Sequence, residues 1–499
     1  MPRTKQRAGS VAAGPAALTL LLGLWGITRD NSMWRDEAAT WEAAHRSVPE
    51  TLHLLDRIDV VHGLYYLFMH GVFALAGDSL VALRLPSALA MAGAAALITL
   101  LGSRLAGRCA GLAGGLAFAL IPAVQQFAQE GRPYALVTAC SALACLLLVT
   151  AVDSPGTGRW AAYGVTVLVA ALLNWFSLLM LCAHAATITL ARPPRATVVR
   201  WGVASSCAVI GTLPLVVASG TQSQQVAWIR PVSPGTLSVL LLTLAAGALC
   251  TWAIRSGEGR RMPRGTRLPL TAVALPLLVF PPLVLLAASL ARPVYLTRYV
   301  LFNHIGLALL IGGACHALAS RLRTPPRRTI VAVTALAFLG LLPLQLSLRS
   351  ANSRIDDVLA TADSVAAVRE TGDAVLYIPA ARRDTALVSP AAFTGTKDLA
   401  LVRGPLESGT LSGVEGSPEQ IAAAMGAVRR IVVVSDAGAP AASTDRDRAK
   451  QRALKAHFVR CSATTARGRQ VTVYRRRHGR GGCATAGRGT EPLRAGQRP

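Results

Sequence analysis

The chain predicts a polytopic α-helical membrane protein carrying a small α/β domain at its C-terminal end. Three observations lead there. Apolar residues make up 52% of the 499 positions and fall in runs of about 20 rather than in alternation, the length that carries a helix across a bilayer. Arginines cluster in short loops between those runs, where basic residues set topology. Past Ser350 the apolar runs stop, and 14 of the 25 acidic residues appear there among mixed polar and apolar positions.

The first run, Val11–Gly26, follows Arg3, Lys5 and Arg7. No small-residue cleavage site follows it, so a retained first helix is expected rather than a signal peptide. Ten further spans are predicted: Leu80–Leu105, Cys109–Phe127, Pro133–Val152, Trp160–Leu173, Trp175–Leu190, Trp201–Ser219, Thr236–Ile254, Leu268–Leu290, Tyr299–Ser320 and Thr329–Leu346, making eleven. The division at Asn174 is the least marked. His62–Gly77 is apolar but only 16 residues long and carries His62 and His70. If it does not span, Arg104 and Arg108, Arg192, Arg195 and Arg200, the Arg255–Arg267 cluster, and Arg321, Arg323, Arg327 and Arg328 all share the side of the basic N-terminus. We therefore expect it to be an interfacial or re-entrant helix. Gly107, Gly111 and Gly115 have the spacing of close helix packing, and Pro276, Pro281 and Pro282 predict a kink.

That topology gathers three polar segments on the outer face. They are the loop Asn31–Asp59 (within a large first outer loop, 30–78), the stretch Gln129–Tyr134, and the stretch Tyr295–Tyr299. Eight of the eleven acidic residues in the first 350 positions lie between Asp30 and Asp78. An ionisable cluster at a membrane surface marks a site by default. Asp36 and Glu37, in Trp34-Arg35-Asp36-Glu37, are the candidate catalytic pair. The bland alternative is that Asp36 caps a helix over Glu37–His45, with Glu37 and Glu42 on its wet side.

Beyond Ser350, Arg354–Glu370 has helical periodicity, and Ala374–Ile378, Ile431–Val434 and Gln470–Tyr474 read as strands. The expected divisions are a membrane domain over 1–348, an extracytoplasmic α/β domain over 349–474, and a basic disordered tail from Arg475 to Pro499. Net charge is +26, but the arginines serve topology, and nucleic acid is not an expected partner. Seven cysteines in or beside apolar runs read as small buried hydrophobes. Cys461 and Cys483 could pair if the tail lies outside. Asp445-Arg446-Asp447 has the spacing of a metal–nucleotide site but sits in an Ala/Ser/Arg-rich stretch, and no Walker loop or dinucleotide fingerprint occurs.

Together, Trp34–Glu37, His62–Tyr66, Leu83–Ser87, Gln129–Leu136 and Arg298-Tyr299 resemble, in that order, the motif series of the GT-C superfamily. The likeness is to bacterial family-39-like glycosyltransferases of the protein-mannosyltransferase type, over about Met1–Leu346. Many relatives have His-Pro-Pro where this chain has His62-Gly63. The resemblance implies inverting transfer of a sugar from a polyprenyl-phosphate donor to an acceptor hydroxyl on the outer face of the cell membrane. Mannose is the sugar it suggests, with arabinose or another pentose open, and a protein, lipid or glycan is the acceptor. It implies Asp36 as base and Glu37 as an orienting acid. His62, Glu130, Arg132, Tyr134, Arg298 and Tyr299 become the substrate-binding set, with the two arginines on the lipid phosphate. Arg84 would brace the loop. The loop acids could hold a divalent cation, which a monophosphate clamped by two arginines does not require, so no cofactor is assigned. A flippase or transporter of a lipid-linked glycan and a non-catalytic membrane scaffold are the competing classes. The near absence of charge inside the spans argues against the former.

Overall fold

A computed structural model describes residues 2–222, 228–256, 268–322, 324–438 and 444–477, with side chains from residue 11 onward. The Arg255–Arg267 cluster is therefore described only at Arg255, and Arg323 and Cys483 lie outside the described residues.

The chain divides into two units, a membrane unit of 1–31 and 39–353 and a C-terminal unit of 354–499 that also takes in 32–38. The membrane unit runs through α1 (Pro2–Leu24), the greater part of α2 (Arg35–Ala44), α3 (Val48–Leu55), α4 (Gly63–Ala76), α5 (Leu80–Ala106), α6 (Arg108–Leu120), α7 (Pro122–Ala128) and α8 (Tyr134–Asp153). It continues with α9 (Thr157–Leu173), α10 (Met180–Ala191), α11 (Arg195–Thr221), α12 (Pro234–Arg255), α13 (Leu270–Ala291), α14 (Asn303–Arg321) and α15 (Pro326–Arg349).

Among the described residues, seven helices are long and apolar enough to cross a membrane: α5, α8 and α11–α15. The pair α6 and α7, bent by 64° at Ile121, makes eight if it is one span. The other three expected spans are also helical, with shorter apolar stretches at Val11–Leu24, Thr157–Leu173 and Trp175–Ala191. The break at Asn174 is real. Its side chain accepts from Phe176 N–H, and a 3₁₀ turn, Trp175–Leu179, precedes α10. Helix α4, at 14 residues, is about 21 Å long, short of a hydrocarbon core of about 30 Å.

Small residues let the bundle close. A Cβ on Gly111 would lie 2.2 Å from Ser103 Oγ, one on Gly115 2.8 Å from Pro15 Cβ, and one on Gly312 2.6 Å from Gly114 N. Gly107 does something else. It turns the chain between α5 and α6 at φ +93°, with open space where its Cβ would be. Helix α13 runs on through its three prolines. Arg349 pins the end of α1, donating from Nη2 to Leu22 O at 2.6 Å and from Nε to Trp25 O at 3.0 Å. Of the seven membrane-unit cysteines only Cys145 is buried, while Cys182 and Cys207 are exposed on the bundle surface. A lipid-facing helix has no reason to bury its small apolar residues.

The C-terminal unit is built on a five-stranded sheet. Its elements are α16 (Val358–Val368), β1 (Ala374–Ile378), α17 (Asp384–Val388), β2 (Lys397–Asp398), β3 (Leu401–Arg403), α18 (Pro405–Ser408), β4 (Val414–Glu415), α19 (Pro418–Gly426), β5 (Arg430–Asp436), α20 (Asp445–His457), β6 (Phe458–Ala466) and β7 (Arg469–Arg476). The strand order is β2-β1-β5-β7-β6, with β1 parallel to β2 and β5, and β7 antiparallel to β5 and β6. Alternation sorts the core onto two faces. Leu376, Ile378, Ile431 and Val433 pack with α19 and α20, and Val375, Tyr377, Val432, Val434 and Val471 pack with Val365 of α16. Strand β7 continues through Arg476, past the expected tail boundary at Arg475, because Arg475 and Arg476 pair in register with β6. Residues 478–499 of the tail lie outside the described residues.

Candidate active site

Within the membrane unit, His62, Arg132 and Arg298 converge. The turn Glu130–Pro133 joins α7 to α8. Ser87, on α5, holds it by donating to Glu130 O at 2.6 Å, and Thr40, on α2, by donating to Gly131 O at 2.9 Å. Gly131 is required there, since a Cβ would fall 2.6 Å from Leu83 Cγ. Both motif stretches, Leu83–Ser87 and Gln129–Leu136, thus meet through packing. Arg84 braces the region as expected, donating to Ile27 O at 2.6 Å from a fully buried position.

Arg132 donates from Nη2 to His62 Nε2 at 2.6 Å and from Nη1 to Thr40 Oγ1 at 3.4 Å. A guanidinium only donates, so His62 accepts at Nε2, and a neutral imidazole then carries its proton on Nδ1. Burial, then the charges of Arg132 and Arg298, hold the His62 imidazole well below its ordinary 6.5, which keeps it neutral. Its Nδ1 is buried and makes no hydrogen bond among the described residues. Tyr66 lies beside it, 5.9 Å from its ring, and donates to Asp59 Oδ2 at 2.7 Å.

Arg298 lies among aromatic faces. Its Cζ is 5.7 Å from the Tyr134 ring, 5.7 Å from Trp228 and 6.0 Å from Tyr299, within the range of cation–π attraction. Tyr299 in turn stacks on Phe176 at 4.5 Å, and Phe176 on Trp175 at 4.0 Å. A cavity of about 450 Å³ opens beside these groups. His62 and Tyr299 line it together with Trp175, Phe176, Leu179, Val216 and Leu285. Gln222, just past α11, donates to Leu55 O at 2.8 Å.

Asp36 and Glu37 occupy the first turn of α2, which begins at Arg35. Asp36 is therefore inside the helix rather than its cap. Glu37 is fully buried, and Glu42 is 11% exposed against Arg46, so neither acid is on a wet face. Their residue type suggested solvent, but tertiary packing overrode it. Glu130 is likewise only 1% exposed. Sequence reading passed over Thr40 and named Ser87 and Gly131 only as motif members, because their bonds join segments far apart in the chain.

Among the described residues no group of three or more His, Cys, Asp or Glu side chains is placed to hold a metal ion. In the Asp445-Arg446-Asp447 stretch the two acids diverge. Asp447 pairs with buried Lys450 at 3.4 Å, and Asp445 is exposed beside Arg448.

Comparison with known proteins bears on this geometry. The family model described as dolichyl-phosphate-mannose-protein mannosyltransferase matches residues 64–219. No curated protein matches the chain. Among solved structures, ArnT from Cupriavidus metallidurans in the apo state aligns over 92% of this chain and 97% of that one, at 12% identity and a TM-score of 0.60. The same protein bound to undecaprenyl phosphate aligns over the same shares at 13% identity and a TM-score of 0.58. The chain is thus a multi-pass membrane protein with the GT-C fold, the architecture that its motif series resembles.

Proposed function

We propose that this protein is an inverting glycosyltransferase, moving a sugar from a polyprenyl-phosphate donor to an acceptor hydroxyl at the outer face of the cell membrane. One observation carries the proposal. Two guanidinium groups and the Nδ1–H of a neutral histidine converge beside an apolar cavity. That is the chemistry of an anionic headgroup with a hydrocarbon tail. The matched family model is named for a dolichyl-phosphate donor, and a structure of the same fold is described as bound to undecaprenyl phosphate.

In the reaction, the acceptor oxygen forms a bond to the anomeric carbon as the bond from that carbon to the phosphate oxygen breaks. The electron pair leaves with the phosphate, whose growing charge Arg132 and Arg298 stabilise. Asp36 takes the acceptor proton, and Glu37 orients acceptor or sugar from the same turn. Tyr134 and Tyr299 hold Arg298 by their faces, and we keep Glu130 in the site as the acid of the Arg132 turn. Asp36 and Thr40, four residues apart, share one face of α2. The arginine distribution, read with the eleven expected spans, supports an extracytoplasmic C-terminal unit.

The test is transfer by the reconstituted protein from a polyprenyl-phosphate sugar to a hydroxyl acceptor. Lipid movement without formation of a glycosidic bond would make it a flippase instead. Mannose and arabinose donors, offered separately, assign the sugar. Cysteine placed at position 36 should react with an impermeant reagent added outside the cell.

A further inference from the structure

We infer that Asp356 is a positioning residue for the catalytic turn, and that the C-terminal unit serves the reaction by holding Arg35-Asp36-Glu37 in place. The inference rests on the assignment of Asp36 as the base.

The first N–H groups of any helix lack acceptors within it, and the residue before the helix commonly supplies one from a side-chain oxygen. Trp34, which precedes α2, has none. A carboxylate 321 residues later fills the gap. Asp356 Oδ1 accepts the Arg35 backbone N–H at 3.1 Å, and Oδ2 accepts Arg35 Nε at 3.0 Å. Two more bonds secure the approach to the helix. Val358 N–H donates to Met33 O at 2.7 Å, and Met33 N–H to Asp357 Oδ1 at 3.4 Å. The segment leading into α2 is therefore tied through the Met33 backbone, and α2 itself through the Arg35 backbone and side chain; all these residues belong to the C-terminal unit.

Asp356 is itself immobile. Its Oδ2 accepts from Arg469 Nε at 3.2 Å and Nη2 at 3.0 Å. Arg469 is fully buried, and Asp384 also clasps it at 2.5 and 2.7 Å. Arg469 opens β7, in register with Asp436 of β5. Burial alone would raise the Asp356 carboxyl, but the charges of Arg469 and Arg35 outweigh it and hold the group below its ordinary range. It therefore stays ionised, as a charge-assisted anchor must. The connection runs from the sheet through Arg469 and Asp356 to Arg35, the residue adjoining the base. An anchor of this kind acts on turnover, since misplacing a catalytic group by about 1 Å costs about 100-fold.

The experiment measures kcat and donor KM for Arg35→Ala, Asp356→Ala and Asp36→Asn in the full chain. Arg35 is half-exposed, so its truncation leaves the buried core intact. Both anchor variants should lose about 100-fold in kcat, with donor KM within about twofold and, for Arg35→Ala, an unchanged melting temperature. If Asp356→Ala does not fold, Arg35→Ala decides alone. Normal kcat in the anchor variants alongside an inactive Asp36→Asn overturns the inference and leaves the base assignment standing. A raised KM at normal kcat overturns it too. Normal transfer by Asp36→Asn overturns the base assignment and the inference with it.

Discussion

Two arginine clusters, one in each unit, are held by different kinds of group. In the C-terminal unit Arg469 lies between Asp356 and Asp384, and Arg383 between Asp398 and Glu415, which also binds Lys450 at 2.6 Å. Each cation there has a carboxylate to spend its field on. In the membrane unit Arg132 reaches an imidazole and a hydroxyl, and Arg298 lies against three aromatic rings. A hydroxyl, an imidazole nitrogen and π faces fix the plane of a guanidinium. The first arrangement suits a scaffold, and the second sets the orientation of the guanidinium fork at the candidate site.

The strongest challenge to that contrast is loss of the base. Asp36→Asn should lower kcat by about 100- to 10,000-fold in a protein that inserts normally, read as transfer to a hydroxyl acceptor. Next, Arg469→Ala should destabilise the C-terminal unit by about 3–5 kcal/mol, because it removes a fully buried guanidinium from buried Asp356 and half-buried Asp384. A thermal melt checks this, and a shift near zero would mean that these ion pairs are not structural. Arg298→Lys keeps the charge but loses the planar fork. Donor affinity should fall about tenfold, the scale of a charged hydrogen bond, and binding of polyprenyl phosphate itself reads it directly.

A fourth test sharpens the role of His62. Its folded imidazole lies well below 6.5 while the unfolded one lies near 6.5. The ring therefore stays neutral through pH 6–8, and donor binding should show no histidine inflection there. Below about pH 6.5 the unfolded chain takes up the proton first, so stability declines as acid is added. The smallest effect is expected at Asp445, exposed in a pair with Arg448. Asp445→Asn should change stability by under about 1 kcal/mol and leave transfer untouched.

Much of this was legible in the sequence, and the illegible part has a physical reason. Strand Ala374–Ile378 appears with its expected bounds, and α16 falls within Arg354–Glu370, because side-chain periodicity is a local property. The meeting of Arg132 and Arg298 was foreshadowed by loop parity, and the place of His62 beside them by the motif series. All eleven expected spans fall on helices, and seven or eight of these are long and apolar enough to cross a membrane on length and composition, while runs such as Thr157–Leu173 are shorter. The tail boundary moved because pairing with β6 carries Arg475 and Arg476 into the sheet.

Local composition and spacing alone determined the membrane class, the order of polar segments and the α/β character of the C-terminal unit. These depend on neighbours within a turn or a strand. Only the tertiary structure decided that Glu37 is buried, that Thr40 and Ser87 hold the arginine turn, and that Asp356 takes the place of a cap on α2. Such contacts join residues 43 to 321 positions apart, and nothing in a residue's own neighbourhood specifies which distant acceptor will complete it.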